Sequence, residues 1–143
     1  MKEGVKMREI KFKAFDKIDN RIAGVRQIEF KQNGDIDFFV IIKPKVINKQ
    51  GDLYYEFPKR QPNEFELLEY TGLKDKKGNE IYEGDIIKSG FGEKVIVEYI
   101  EKIASFRLIT NHTQTKENFE LSKSWANDVK VIGNKYENPE LIE

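Results

Sequence analysis

From Arg8 to Ala14 the apolar residues Ile10, Phe12 and Ala14 alternate with Glu9, Lys11 and Lys13. A period of two suits a strand with one buried face and one wet face, and it does not suit a helix. The same period returns at Ile28 and Phe30 between Gln27 and Glu29, and again from Val129 to Ile132. Glycines and short polar residues interrupt these runs at loop-like intervals. The pattern commits the chain to apolar faces packed as sheets.

Strands are expected at residues 8–15, 25–30, 36–42, 53–57, 94–100, 105–110 and 129–132, with a short pairing segment at 119–121; residues 64–70 open the second half, and 81–88 hold a turn followed by a strand. Asp16 to Asn20 supplies turn chemistry, and Asn33-Gly34 predicts a two-residue hairpin turn. The run Phe38-Phe39-Val40-Ile41-Ile42 abandons alternation, so burial on both faces or a contact with the other half is expected there. Pro44 ends that strand. Gly72 and Gly78-Asn79 predict turns around the charged loop 74–77, and Gly90 and Gly92 bracket Phe91. Residues 123–127 suit one helical turn, residues 111–118 a polar loop, and Asn138 can cap a final turn opened by Pro139. Pro58 and Pro62 flank Lys59, Arg60 and Gln61, which reads as a linker. The expected organisation is an extension over residues 1–6, an amino-terminal β region over 7–62 and a carboxyl-terminal domain over 63–143 whose short strands suggest a small barrel.

The 143 residues contain no cysteine, which removes disulfides, thiolate nucleophiles and thiolate zinc sites and agrees with a reducing cytoplasm. The longest apolar runs fall far short of the roughly 20 residues of a membrane-spanning helix, and residues 1–8 lack the apolar core of a secretory signal. No membrane partner is expected. Net charge is zero, from 25 basic and 25 acidic groups. Residues 1–62 nevertheless carry 14 basic against 9 acidic groups, and residues 63–143 carry 11 against 16. Such a split can orient the halves, or two copies, against each other.

Two strings are similar to signatures of the YopX family of bacteriophage and prophage proteins. One is Arg8-Glu9-Ile10-Lys11-Phe12-Lys13-Ala14-Phe15-Asp16, with Phe15 where tryptophan would be usual. The more specific one runs from Tyr70-Thr71-Gly72-Leu73-Lys74-Asp75 through Gly78-Asn79-Glu80 to Ile81-Tyr82-Glu83-Gly84-Asp85-Ile86. The tail Val131-Ile132-Gly133-Asn134-Lys135-Tyr136 extends the resemblance to Leu141. It implies a phage or prophage origin, an SH3-like β-barrel in the carboxyl-terminal half, and no assigned activity.

Four places carry groups with chemical potential. Glu83 and Asp85, with Glu80 nearby, are carboxylates that acid–base work or Mg²⁺ could use, but solvated turn carboxylates fit the spacing better. His112 is the only histidine and lacks the partners of a metal or nucleophile site, so it reads as a surface loop residue. The glycines of the middle string lack the phosphate-loop pattern and read as turns. Ten Phe and six Tyr mostly fill a core, yet some could form stacking platforms beside Lys88, Lys94 and Arg107. No catalytic residue, metal ligand or cofactor site is assigned, and no binding residue is singled out. The expectation is a noncatalytic phage accessory protein that binds a host or phage protein, or its own copies, through an aromatic-rich face. The alternative is a nucleic-acid-binding module, motivated by the basic amino-terminal half and the barrel resemblance.

Overall fold

The computed structural model describes residues 7–43, 46–110 and 118–143. The expected extension at 1–6, the strand end at Pro44, and the polar loop with His112 lie outside the described residues. The first half contains β1 (Phe12–Asp16), β2 (Arg21–Phe30), β3 (Ile36–Ile42), β4 (Val46–Ile47), β5 (Leu53–Tyr54) and β6 (Lys59–Arg60). After a 3₁₀ turn at Pro62–Glu64 come β7 (Phe65–Lys74), β8 (Glu80–Tyr82), β9 (Asp85–Lys88), β10 (Lys94–Ile100), β11 (Ser105–Thr110) and β12 (Asn118–Glu120). The helical turn α1 (Lys123–Ala126) and β13 (Lys130–Asn134) follow, and a 3₁₀ turn at Pro139–Ile142 closes the chain.

Among the described residues every strand pairing is antiparallel, and the protein is mainly β. One six-stranded sheet has the order β6-β3-β2-β1-β7-β8, a second has the order β12-β11-β10-β9-β13, and β4 and β5 form a separate two-stranded ribbon. Among the described residues the second sheet has two unpaired edges, β12 and β13, so the carboxyl-terminal half forms an open sheet and not a closed barrel. The first sheet draws strands from both sides of residue 62, because β7 continues it through the register Ala14↔Leu67.

The segment between the two prolines is an edge strand, which corrects its reading as a linker. Lys59 and Arg60 pair with Val40 and Phe39. The isolated proline signal could not reveal that Arg60 is anchored. The guanidinium Nε and Nη2 donate to Asp16 Oδ1 and Oδ2 at 2.7 and 3.0 Å, and Asp16 has no exposed surface. Arg60 sits on one edge of the sheet and Asp16 on a strand three places away, so the sheet curls and a side-chain fork bridges the curl. Inside lie Ala14, Ala23, Phe39, Ile41 and Phe65, with the Phe39 and Phe65 rings 3.8 Å apart. The run 38–42 therefore sends Phe39 and Ile41 inward, while Phe38 lies only half-buried beneath the Lys59 ammonium.

A second core collects Ile81, Ile87, Val95, Val97, Leu108, Ala126 and Val129 under the second sheet. Its helical turn is capped by Ser122, whose Oγ accepts from the Trp125 amide at 3.3 Å. Asn138 takes the N-cap position of the last turn before Pro139, as expected, but its side chain makes no bond to that turn. Its Oδ1 instead accepts from the Asn134 amide at 3.2 Å.

One loop geometry recurs four times. In residues 31–35, 48–52, 75–79 and 89–93 the first amide donates to the fifth carbonyl and the fourth amide donates to the first carbonyl. The fourth residue is glycine with φ between 83° and 90° in each loop, as in a three-residue hairpin loop with a left-handed final position. Asn33-Gly34 is thus part of a three-residue loop and not a two-residue turn, since only Gly34 takes a positive φ. Gly72 also departs from expectation, lying inside β7 at a register shift and not at a turn.

Between the sheets the turn at Gly84 is a second junction. Its amide donates to Val97 O at 2.7 Å and its carbonyl accepts from Lys135 N at 2.9 Å. A Cβ on Gly84 would lie 2.8 Å from Tyr136 Cε2, and that ring stacks on Phe15 at 4.8 Å. A side chain here would force apart rings from both halves of the chain.

Candidate functional site

The carboxylates of the middle string do not form one cluster. Glu80 is bound by Lys11 at 2.6 Å, a bond that holds its pKa below the usual range. Glu83 and Asp85 flank Gly84 and are partly buried, which corrects their reading as solvated. Burial raises both, and it pushes the Asp85 carboxyl up to about 6. Asp85 Oδ2 already accepts from the Tyr82 amide at 2.8 Å, so this carboxylate closes a turn. Among the described residues, no group of three or more His, Asp or Glu side chains is arranged to hold a metal ion.

The raised Asp85 has a measurable consequence. Its folded pKa of about 6 exceeds the ordinary 3.8, so the folded state binds this proton more tightly than the unfolded chain. Stability from this group is therefore gained as pH falls from about 6 toward 4, and the ionised form weakens the fold at neutral pH. Asp85→Asn retains an acceptor for Tyr82 N and is expected to stabilise the protein at neutral pH by about 1–2 kcal/mol, with the difference vanishing by about pH 4. Urea titrations of both proteins across that range check it; parallel pH profiles would refute the assignment.

The exposed apolar surface expected from the aromatic content lies first on the β4–β5 ribbon. Ile47, Leu53 and Tyr54 are exposed there, and Tyr55 and Phe57 in the segment that follows it. The ribbon leaves the edge of the first sheet through Lys43 N to Glu56 O at 2.9 Å and Ile41 N to Pro58 O at 3.0 Å. Tyr55 stacks near Phe57, over which the Arg26 guanidinium lies at 4.0 Å. Two paired strands alone are marginal in water, and this pair spends its large side chains on solvent.

Of the cations considered with the aromatics, the fold joins two and removes the third. Lys88 is directly opposite Lys94 on one side and Lys130 on the other. Arg107 lies further along, opposite Glu98 and Glu120. Lys76 and Lys77 reach the same end of the sheet from the 75–79 loop, where Lys77 approaches Lys130 closely enough to depress its pKa. Phe91, fully exposed at the 89–93 tip, shares a groove of about 640 Å³ with Lys76 and Trp125. Sequence reasoning missed Lys76, Lys77, Lys130 and Trp125 as partners of Lys88 and Lys94. It also assigned the basic character to the amino-terminal half, whereas this cluster lies in the half with net negative charge. Only the strand register aligns these lysines.

Comparison with protein families matches residues 11–143 to the family described as YopX protein. Among solved structures, the chain is similar to the crystal structure of protein EF1440 from Enterococcus faecalis, at 25% identity with a TM-score of 0.56, over 96% of this chain and 100% of that one. A comparison with the curated proteins found no match. No helix among the described residues is long and apolar enough to cross a membrane.

Proposed function

Because the chain belongs to the YopX family, which is associated with phages and prophages, we propose that it is a phage-type accessory protein that works by binding and not by catalysis. The reading is supported above all by the β4–β5 ribbon, which exposes Ile47, Leu53 and Tyr54, and by Tyr55 and Phe57, exposed in the segment that follows it. Contiguous apolar surface of this kind marks protein-interaction sites. The occupant is a host or phage protein, or a second copy of the chain, met in the cytoplasm of the bacterial host. The open second sheet is the counterpart of the SH3-like barrel that family likeness implies, with its core intact and its edges unjoined. The raised carboxylates at Glu83 and Asp85 serve the turn between the sheets.

The test pairs the wild type with Leu53→Lys/Tyr55→Lys, two changes on exposed positions. Light scattering after size exclusion and affinity capture from phage-infected host lysate are expected to show an assembly, or a single stoichiometric partner, with the wild type only. A strictly monomeric wild type that retains nothing, or a variant that behaves identically, would remove the ribbon as the docking element.

A further inference from the structure

Three lysines stand side by side across β13, β9 and β10: Lys130, Lys88 and Lys94, each directly opposite the next. Directly opposed residues in an antiparallel sheet share a face, and like charges in that relation destabilise the pair. Neighbouring strands are only about 5 Å apart. Among the described residues no carboxylate lies within ion-pair distance of Lys76, Lys77, Lys88, Lys94 or Lys130, although salt bridges elsewhere engage Lys11, Lys17, Lys43 and Lys135. The row continues through Lys77, which contacts Lys130, to Lys76 at the groove. Acidic neighbours are present but do not pair with the row: Asp75 acts on Lys130 from beyond ion-pair distance, Asp128 lines the groove, and Glu93 closes the tip with its amide on Ser89 Oγ at 3.2 Å.

Aromatic rings lie at the same end of the sheet but on its other face. Ile87, Val95 and Val131 pack toward the helical turn of Trp125, so the adjacent Lys88, Lys94 and Lys130 point the opposite way. The row meets the rings around the 89–93 tip, where Lys88 Cε lies 3.9 Å from the position a Cβ on Gly92 would take. Phe91 sits between Gly90 and Gly92, so no neighbouring side chain shields it, and both of its faces meet solvent. Trp125 is part-exposed and lines the same groove. Lysines that track a phosphate backbone, next to rings on which bases can stack, form the general platform for single-stranded nucleic acid. A duplex keeps its base faces stacked inside and cannot use these rings. We infer that this end of the second sheet binds single-stranded nucleic acid, with the phosphates along the row from Lys94 to Lys76 and bases stacked on Phe91 and Trp125. This site is separate from the β4–β5 ribbon, so either can fail without the other.

The chain has a single tryptophan, so quenching of its fluorescence reports occupancy of this site. Titration with an oligothymidylate of about 20 nucleotides at low salt is expected to quench Trp125, with log affinity falling linearly with log salt. Lys88→Gln/Lys94→Gln should lower affinity about tenfold or more and reduce the magnitude of the salt slope by about 1.4, near 0.7 for each phosphate that no longer meets a lysine. Phe91→Ala, at a fully exposed tip that the core does not use, should weaken binding roughly 5- to 150-fold, as expected when one base loses its stacking ring. Wild-type far-ultraviolet dichroism in each variant excludes misfolding as the cause. The inference is overturned by an absence of quenching at low salt, by lysine variants with unchanged affinity and slope, or by equal affinity for duplex DNA or poly-glutamate.

Discussion

Arg60→Ala is expected to reduce the unfolding free energy by about 3–5 kcal/mol at neutral pH, because it strands a buried carboxylate without its cation. Asp16 has no exposed surface and Arg60 is 9% exposed. Burial by itself would raise the Asp16 carboxyl, but the Arg60 fork together with the Ile18 and Asp19 amides outweighs it and holds the group below its ordinary 3.8. A depressed carboxyl contributes stability that is present above its unfolded pKa and is lost as pH falls through the folded one. The wild type should therefore lose the contribution of this pair below about pH 4, and the deficit of the variant should shrink on acidification, when Asp16 can take up a proton. Lys43 at 2.9 Å and Arg60 at 3.7 Å both approach Asp19, so Asp19 keeps a cation when Arg60 is removed and Asp16 does not. Replacing both partners by apolar residues, Asp16→Leu/Arg60→Met, should recover most of the loss, since neither charge then needs solvation. Urea denaturation at neutral and acid pH measures all three proteins. A single variant within about 1 kcal/mol of wild type at neutral pH would mean that the fork does not hold the curl of the first sheet.

Asp75→Ala should be nearly as damaging, at about 3–4 kcal/mol, through orphaned backbone amides and not through an unpaired charge. Asp75 Oδ1 accepts from Lys77 N and Asn79 N, both at 2.9 Å, while Oδ2 accepts from Val131 N at 2.9 Å and Asn79 Nδ2 at 3.2 Å. Three of these bonds shape the 75–79 loop, and the Val131 bond ties it to β13. Burial works against ionisation here as well, but the amides of Val131 and Asn79 win and the carboxyl stays depressed. Its contribution has the same sign as that of Asp16, present above the ordinary pKa and lost below it. Asp75→Asn preserves size and one acceptor but turns a donor toward an amide, so an intermediate loss near 2 kcal/mol is expected. Hydrogen exchange gives a local check, because the Val131 amide should lose protection earlier than its neighbours in β13. Unaltered exchange at Val131 with wild-type stability would dismiss Asp75 as the tie between loop and sheet. The loop also carries Lys76 and Lys77, so Asp75 positions two of the lysines assigned to the nucleic-acid site.

Much of the β architecture was legible because strand alternation is a local property. The spacing marked β3 at its observed limits and found the strands of the second sheet, the short helical turn at Trp125, and the glycine loops. It placed the start of β1 four residues early, since Arg8 to Lys11 alternate but do not pair as a ladder. The loop at Asn33-Gly34 shows a related limit. A dipeptide signals positive φ, but the number of loop residues depends on where the flanking strands register. The candidate binding surfaces were less legible still. Aromatic content announced an exposed platform without saying which rings were core, and Lys88 and Lys94 stood out as strand cations without Lys130, which is 36 residues beyond Lys94 in sequence.

Side-chain periodicity and turn chemistry, written in neighbouring residues, were enough to determine that this protein is built from short antiparallel strands, and the middle string was enough to place it in its family. Tertiary structure alone decided that β7 joins β1 across residue 62, that Arg60 reaches Asp16, and that lysines from distant segments line up at one end of the second sheet. The physical reason is range. Alternation and φ preference act within a few residues, whereas the choice of partner strand and its register follows from which apolar faces bury each other best once the whole chain has collapsed.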